Sequence, residues 1–215
     1  MQLLRSHEEL TYEVLDQPSG MELPIKLQQA DALIVRTAKL SPEMLEKATR
    51  LKVVARHGVG YDNVPVDVLS RNKTPLATTG DANAVTVAEH AFYLILTLAK
   101  RGRDFDTAVR DGEWESRNTL QGSELFGKNL LLVGFGRIGR EVGKRALAFG
   151  MQLHVYDPYV DEQQVGAAGA TYVKDLGTFL PMTDFLSLHL PYNQKNRHII
   201  GHKELKALPS SAYVI

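Results

Sequence analysis

The sequence contains no cysteine. This excludes a disulfide scaffold, a thiolate metal site and a cysteine nucleophile, and it is compatible with the cytoplasmic localisation that we expect. An excess of charge of either sign is also missing, because 25 Lys and Arg residues offset 25 Asp and Glu residues. A chain with zero formal net charge gives no electrostatic reason to expect nucleic acid or an anionic membrane as a partner.

Long hydrophobic runs are absent as well. The longest apolar stretch, around residues 91–99, is much shorter than the roughly 20 residues of a membrane-spanning helix. The first residues turn polar and acidic too early for a signal peptide. We therefore expect a soluble protein. With 44% hydrophobic residues, the 215-residue chain can bury one large core or two modest ones.

The most informative stretch runs from Asn129 to Asp157 and has the order strand, glycine turn, helix, strand, acid. Its three glycines predict separate roles. Gly134 allows a tight turn, Gly136 lets the backbone approach a pyrophosphate, and Gly139 lets the helix pack closely on the strand. The phosphates would bind the unpaired N–H groups at the positive end of the helix. The alternative is a glycine turn that serves packing only.

The acid at the end of this stretch indicates which dinucleotide is bound. Asp157 lies 18 residues after Gly139, where its carboxylate can accept both ribose hydroxyls of NAD. The same carboxylate would repel the 2′-phosphate of NADP, and no arginine follows it closely. The predicted cofactor is therefore NAD.

Strand and helix patterns alternate along the chain, which predicts an α/β fold with a mainly parallel sheet. The predicted strands cover residues 11–15, 32–36, 51–56, 76–79, 130–133, 153–156, 171–173, 184–190 and 212–215. The predicted helices cover residues 22–29, 42–48, 65–71, 85–100, 137–149, 175–181 and 202–208. A more polar segment follows the long helix, so we place a domain boundary there. It separates a substrate-binding domain, residues 1–98, from an NAD-binding domain, residues 99–215.

With these segments assigned, the chain resembles the D-isomer-specific 2-hydroxyacid dehydrogenases, and within them the phosphoglycerate dehydrogenase-like branch. Several blocks carry the resemblance in the right order, which is more specific than any one motif. They are residues 51–64, 83–90, 112–115, 134–146, 149–151, 156–159 and 188–191.

The resemblance implies a flavodoxin-like α/β substrate-binding domain, a Rossmann-type NAD-binding domain and an active site between them. It also implies hydride transfer between NAD(H) and a D-2-hydroxy acid, of the phosphoglycerate dehydrogenase or the hydroxypyruvate and glyoxylate reductase type. The loop of His57, Gly58, Val59 and Gly60 matches the one whose backbone amides hold the substrate carboxylate. Two glycines allow successive N–H groups to converge on an anion. The alternative is a simple turn after a strand.

Further cofactor contacts come from the resemblance alone. The matched positions are Val87 near the nicotinamide, Arg137 and Ile138 over the pyrophosphate, Pro158 beside the ribose acid Asp157, and His189, Leu190 and Pro191 on the adenosine side. Some members have a threonine where this chain has Val87, so any contact there is apolar or through the backbone. The family also implies a homodimer formed through the long helix and the polar segment after it.

The catalytic Arg, Glu and His of the family lie downstream of the strand that here ends at Ile215, so no catalytic residue is assigned. We expect that the chain is truncated at this end and at its start, and that the 215 residues alone do not turn over substrate. Two alternatives stay open: an NAD-sensing interaction protein of the corepressor type, and an inactive NAD-binding remnant.

Some charged and histidine residues keep two interpretations. Arg36 and Arg56 follow predicted strands, and each would bind a phosphate or second carboxylate of the substrate or pair with a nearby acid. His57 is a candidate substrate contact, whereas His90 fits a packing or helix-surface position. We expect His189 to line the cofactor cleft without transferring protons. The spacing of the histidines predicts no metal site.

Overall fold

The computed structural model describes residues 2–16 and 21–215. The chain divides into two compact units, residues 1–80 and 81–215. Within the described ranges, no helix has both the length and the apolar character needed to cross a bilayer.

The first unit is a three-stranded parallel sheet with helices between its strands. Its elements are α1 (Gln2–Arg5), α2 (Glu22–Gln29), β1 (Ala32–Val35), α3 (Pro42–Lys47), β2 (Val53–Arg56), α4 (Val66–Arg71) and β3 (Leu76–Thr78). The strand order is β1-β2-β3. The start of helix α3 is determined by its local sequence. The Ser41 side chain accepts a hydrogen bond from the backbone N–H of Met44, and Pro42 occupies the first helical position.

The core of this unit lies on one face of the sheet. Leu33, Val54 and Leu76 are in register across the three strands and pack with the buried residues of α2, α3 and α4. On the opposite face, Ile34 is in register with Ala55 and Ala77 and is 61% exposed. Residues on alternate faces of a strand therefore have very different environments.

The strand predicted at residues 11–15 is absent, and this prediction was wrong. The segment is irregular, and its side chains are exposed apart from the half-buried Leu15. Glu13 forms an ion pair with Lys26 of α2, with 2.8 Å between Oε2 and Nζ. Apolar alternation alone does not make a strand when no neighbouring strand supplies hydrogen bonds and no core covers one face.

The second unit is a five-stranded parallel sheet with the order β6-β5-β4-β7-β8. Its elements are α5 (Ala84–Ala99), α6 (Gly102–Arg110), a 3-10 helix (Trp114–Asn118), β4 (Asn129–Val133), α7 (Arg137–Ala148), β5 (Gln152–Tyr156), α8 (Glu162–Ala167), β6 (Thr171–Tyr172), α9 (Leu176–Phe179), a 3-10 helix (Leu180–Met182), β7 (Phe185–Leu188), α10 (His202–Ala207) and β8 (Tyr213–Val214). The first strand of the unit, β4, is central, and the chain winds outward from it in both directions. This is the Rossmann arrangement, and its switch point lies between β4 and β7.

The core of the second unit forms around β4, whose residues 130–133 are essentially inaccessible to solvent. The buried face of α5 packs against α7 and contributes Ala88, Phe92 and Ile95 to this core. For that reason the compact units divide at residues 80 and 81, before α5. The assignment of residues 1–98 and 99–215 as functional domains stays a prediction.

Two further elements differ from their predicted form. The polar segment after α5 contains a helix, α6, in which Ala108 is the one buried side chain and Arg110 pairs with Asp106 at 2.8 Å. Helix α7 buries Val142 and Ala146 but ends at Ala148, so Phe149, which was predicted as its last residue, lies beyond the helix and is 46% exposed. Its ring rests against that of Phe92, with 5.4 Å between centroids.

Candidate cofactor and substrate sites

The glycine turn lies at the carboxyl end of β4, next to the end of β7. Gly134 has a φ of +101°, and a Cβ added to it would lie 2.5 Å from the backbone oxygen of His189. A Cβ added to Gly139 would overlap the backbone oxygen of Gly134. Both obstacles are backbone atoms, which cannot rotate away. The turn therefore requires glycine at these two positions, as the motif predicted.

Gly136 is different, because a Cβ added to it would meet no atom within 4 Å. It directly precedes α7, whose N-terminus has no side-chain cap. The first N–H of this helix that has a partner in the described part of the chain is that of Arg140, which donates to the oxygen of Gly136. The N–H groups of Arg137, Ile138 and Gly139 are therefore open to an anion. An uncapped helix start behind an unobstructed glycine fits a pyrophosphate.

Asp157 lies at the end of β5, where it is only 9% exposed. Its Oδ2 accepts a hydrogen bond from the backbone N–H of Phe135 at 2.7 Å, and its Oδ1 accepts one from the N–H of Tyr159 at 2.8 Å. The carboxylate therefore connects the glycine turn to the loop after β5. Two oxygens offer about four acceptor positions, so two remain for ribose hydroxyls. Pro158 lies beside it and is exposed.

The other predicted cofactor residues lie on several elements of the second unit. Arg137 is exposed, and Ile138 is half-buried against the core. Val87 is half-buried and lies in the first turn of α5. Phe135, whose role was not predicted, is buried beneath the turn with the Arg140 guanidinium 4.6 Å from its ring centroid. Its backbone N–H donates the hydrogen bond to Asp157. A backbone contact of this kind cannot be predicted from the type of side chain.

The strand end at β7 brings a histidine next to the glycine turn. The backbone N–H of His189 donates to the oxygen of Val133, and its Nε2 lies 2.8 Å from Oγ of Ser187. Burial lowers the pKa of His189 from its ordinary 6.5 to about 4. The ring is therefore neutral at physiological pH. Leu190 is half-buried and Pro191 is exposed beyond it.

The neutral histidines of this unit predict a pH-dependent stability. Burial also lowers the pKa of His154. An unfolded chain binds these protons at higher pH than the folded one, so stability falls as the pH drops below about 6.5, and for His189 the loss continues down to its folded pKa of about 4. We expect His189 to account for about 2 kcal/mol between pH 6.5 and 5. Urea unfolding of the wild type and His189→Asn at both pH values measures this, and equal pH slopes would contradict it.

The predicted carboxylate-binding loop follows β2 in the first unit. Gly58 has a φ of +152°, and its N–H donates to the oxygen of Arg56. The N–H groups of Val59 and Gly60 have no partner among the described residues. Two successive free amides in a glycine-containing turn form a concavity suited to an anion. A cleft of about 200 Å³ lies beside the loop, and it is lined by Ile34, Ala55, Arg56, His57, Ala77, Thr78 and Thr79.

Arg36 and Arg56, whose roles the sequence does not decide, have different environments. The guanidinium of Arg56 donates to Oδ1 of Asn63 at 3.0 Å and to the backbone oxygen of His57. Arg36 is exposed at the end of β1 and has no partner in the described ranges. Neither arginine pairs there with an acid. No group of three or more potential metal ligands occurs in residues 2–16 or 21–215.

The chain is similar to a known family of dehydrogenases. Residues 92–215 match the family model described as D-isomer specific 2-hydroxyacid dehydrogenase, NAD binding domain. D-3-phosphoglycerate dehydrogenase of Methanocaldococcus jannaschii is 37% identical over 195 residues, which cover 90% of this chain and 37% of that protein. Hydroxypyruvate reductase of Thermotoga maritima is 37% identical over 217 residues, which cover the whole chain and 68% of that protein.

Solved structures agree with these sequence relatives. The structure of D-lactate dehydrogenase from Aquifex aeolicus complexed with NAD and lactic acid superposes with a TM-score of 0.81 and 29% identity. That match covers 89% of this chain and 57% of the solved one. The chain thus spans only part of the length of the relatives it matches.

Proposed function

Because the chain belongs to the D-isomer-specific 2-hydroxyacid dehydrogenase family, we propose that it carries the cofactor and substrate sites of an NAD-dependent oxidoreductase. The reaction is hydride transfer between NAD(H) and a D-2-hydroxy acid or its 2-keto acid. The family and the α/β fold predicted from the sequence are confirmed. One observation supports the cofactor site above all: the open N–H groups of α7 directly follow Gly136, where an added Cβ meets nothing.

Each part of this site has a separate task. The N–H groups of Arg137, Ile138 and Gly139 bind the pyrophosphate, and Asp157 accepts the ribose hydroxyls with the oxygen lone pairs that Phe135 and Tyr159 leave free. When bound, the nicotinamide accepts or donates the hydride. The contacts proposed for Val87, Pro158, His189, Leu190 and Pro191 follow from the family match of their positions.

The NAD site is tested by titration calorimetry on the 215-residue chain. We expect NAD to bind and NADP to bind at least about tenfold more weakly, because Asp157 lies where it repels a 2′-phosphate. Equal affinity for the two nucleotides would contradict the role of Asp157. Binding of neither would contradict the cofactor site itself.

The reaction class is tested on the product of the complete reading frame. NADH oxidation with phosphohydroxypyruvate, hydroxypyruvate, glyoxylate and pyruvate is followed by the loss of NADH absorbance. Turnover of at least one keto acid is the expected result. NAD binding without turnover of any of them would instead favour the NAD-sensing interaction protein.

The loop after β2 is proposed to hold the substrate carboxylate on the N–H groups of Val59 and Gly60, with His57 alongside. Gly58→Ala tests this, because its φ of +152° disfavours a side chain and a Cβ would lie 2.9 Å from Cζ of Arg56. We expect KM for the keto acid to rise about tenfold or more. Gly60→Ala is the matched variant, because its Cβ would make only an ordinary contact, 3.5 Å from Asp62. A KM of Gly58→Ala that stays at the wild-type value would argue against the loop.

Arg36 is the residue that we propose to distinguish phosphorylated keto acids from unphosphorylated ones. It is exposed at a strand end and has no partner among residues 2–16 and 21–215, so we propose that it binds a second anionic group of the substrate, such as a phosphate. Arg36→Ser is then expected to raise KM for phosphohydroxypyruvate about tenfold and to leave glyoxylate unaffected. Lys39→Ser, which removes a nearby exposed cation of the same segment, is the control. Equal effects of Arg36→Ser on both keto acids would exclude the phosphate role.

We also propose that the protein acts in the cytoplasm as a homodimer. Helix α5 buries one face in its own unit, yet Tyr93 is 60% exposed and Leu94 and Leu98 are partly exposed on another. Val109 and Trp114, in the segment that follows, are exposed as well. Sedimentation of the wild type and of Tyr93→Glu tests this. A dimer that the substitution dissociates is expected, and a monomeric wild type would contradict the proposal.

A further inference from the structure

Ser187 and His189 form an isolated polar pair at the end of β7. Ser187 is inaccessible to solvent, and its Oγ lies 2.8 Å from Nε2 of His189. The two residues are two apart along the chain, so they lie on the same side of the strand. Nε2 is the one partner that the Ser187 hydroxyl has in the described part of the chain.

This pairing determines which ring nitrogen carries the proton. If Nε2–H donated to Oγ, the hydroxyl hydrogen of Ser187 would be buried with no acceptor, which is costly. If the hydroxyl donates to the lone pair of Nε2, its hydrogen is satisfied and the ring proton lies on Nδ1. We propose that Ser187 holds His189 as the Nδ1–H tautomer and so makes it a neutral hydrogen-bond donor to an oxygen of the bound dinucleotide.

The position of the ring supports this role, which rests on the proposed NAD site. Nδ1 of His189 has no partner within the described ranges, and it is not among the buried unpaired side-chain atoms there, so it is accessible. A Cβ added to Gly139 would lie 3.7 Å from Cβ of His189, which places the side chain beside the glycine turn. The acceptors that a dinucleotide presents at such a turn are pyrophosphate and ribose oxygens.

His154 in the same unit provides an internal contrast. The Asn129 amide is oriented by its Nδ2, which donates to the backbone oxygen of Met182 at 2.8 Å. Its Oδ1 therefore faces Nε2 of His154 at 3.2 Å and accepts from it. His154 is thus the Nε2–H tautomer, and its Nδ1 is buried with no partner in the part of the chain that the structure describes. The two histidines should differ in tautomer although both have a lowered pKa.

Long-range proton–nitrogen correlation NMR on the histidine-labelled 215-residue chain tests the tautomer without any ligand. At pH 7.5 we expect a protonated Nδ1 and an unprotonated Nε2 for His189, and the reverse for His154. Ser187→Ala should remove this preference in His189 and leave His154 unchanged. A protonated Nε2 of His189 in the wild-type spectrum would overturn the proposal.

The donor role is tested separately by calorimetry with NAD on three variants. The amide nitrogen of asparagine reaches the position of Nδ1, whereas that of glutamine reaches the position of Nε2. We expect His189→Asn to keep most of the affinity and His189→Gln and Ser187→Ala to lose about three- to tenfold. If the tautomer is as expected but all three variants bind like the wild type, the donor role is wrong. If the wild type itself fails to bind NAD, the proposed NAD site fails with it, and the NMR result still decides the tautomer.

Discussion

Alanine at position 139 is expected to destabilise the second unit by about 3 kcal/mol or more. Its Cβ would overlap the backbone oxygen of Gly134. Gly134 is itself held in place by the hydrogen bond from its N–H to the backbone oxygen of Tyr156. The overlap can be relieved only by moving α7 away from β4, which disrupts the packing of Val142 and Ala146 in the core. Guanidinium unfolding of Gly139→Ala measures the loss.

Gly136→Ala is the matched variant, because an added Cβ meets nothing and the φ of −73° suits any residue. Its stability should stay within about 0.5 kcal/mol of the wild type. Its NAD affinity should nevertheless fall at least about tenfold, since the Cβ would occupy the space that the pyrophosphate needs. Full NAD affinity in Gly136→Ala would show that the glycine turn serves packing only.

Removal of the Asp157 carboxylate is expected to affect folding and NAD binding together. Asp157→Ala leaves the N–H groups of Phe135 and Tyr159 without their acceptor, and that of Phe135 is in a buried position. Each unpaired buried donor costs about 1–3 kcal/mol, so we expect a loss of about 2–4 kcal/mol. NAD affinity should fall by at least about tenfold, because the ribose acceptor is lost as well. Chemical unfolding and calorimetry measure the two effects.

Asp161→Ala is the control for this second experiment. Asp161 also follows β5 and also accepts a backbone hydrogen bond, from the N–H of Gln164 at 2.7 Å. Unlike Asp157, it caps a helix, α8. Its removal should cost about 1 kcal/mol and leave NAD binding unchanged. If Asp157→Ala weakened NAD binding no more than Asp161→Ala does, Asp157 would have a structural role only.

The sequence predicted the parts of the fold that a local pattern encodes. The helix at residues 22–29 was located at its observed bounds, and the start of α3 was predicted correctly at Pro42, because caps and amphipathic spacing act over a few residues. The strand predicted at residues 11–15 is absent because a strand needs a neighbouring strand, and short-range alternation of apolar residues does not show whether there is such a neighbour. Helix α6 was missed because it is short and mainly polar, with Ala108 as its one buried side chain and Phe105 only half-buried.

The same distinction applies to the site. The tight turn at Gly134 and the close approach at Gly139 follow from the motif, and the structure shows a φ of +101° at the first and backbone contact with Gly134 at the second. The contact of Asp157 with the N–H of Phe135 was not foreseeable, because it joins two strands' ends through a backbone atom. Ser187 was missed for a related reason: serine in a strand is common, and only the tertiary burial of its hydroxyl makes its pairing with His189 informative.

The two hydrogen bonds on Asp157 have a kinetic consequence. They hold the carboxylate in one orientation before any ligand arrives, because both donors are backbone groups of the glycine turn and of the loop after β5. The adenosine end of NAD would then meet a preorganised acceptor, and little conformational entropy is lost when it binds there. We expect this first encounter to appear in stopped-flow fluorescence as a single phase whose rate rises linearly with NAD concentration, without a plateau from a slow rearrangement.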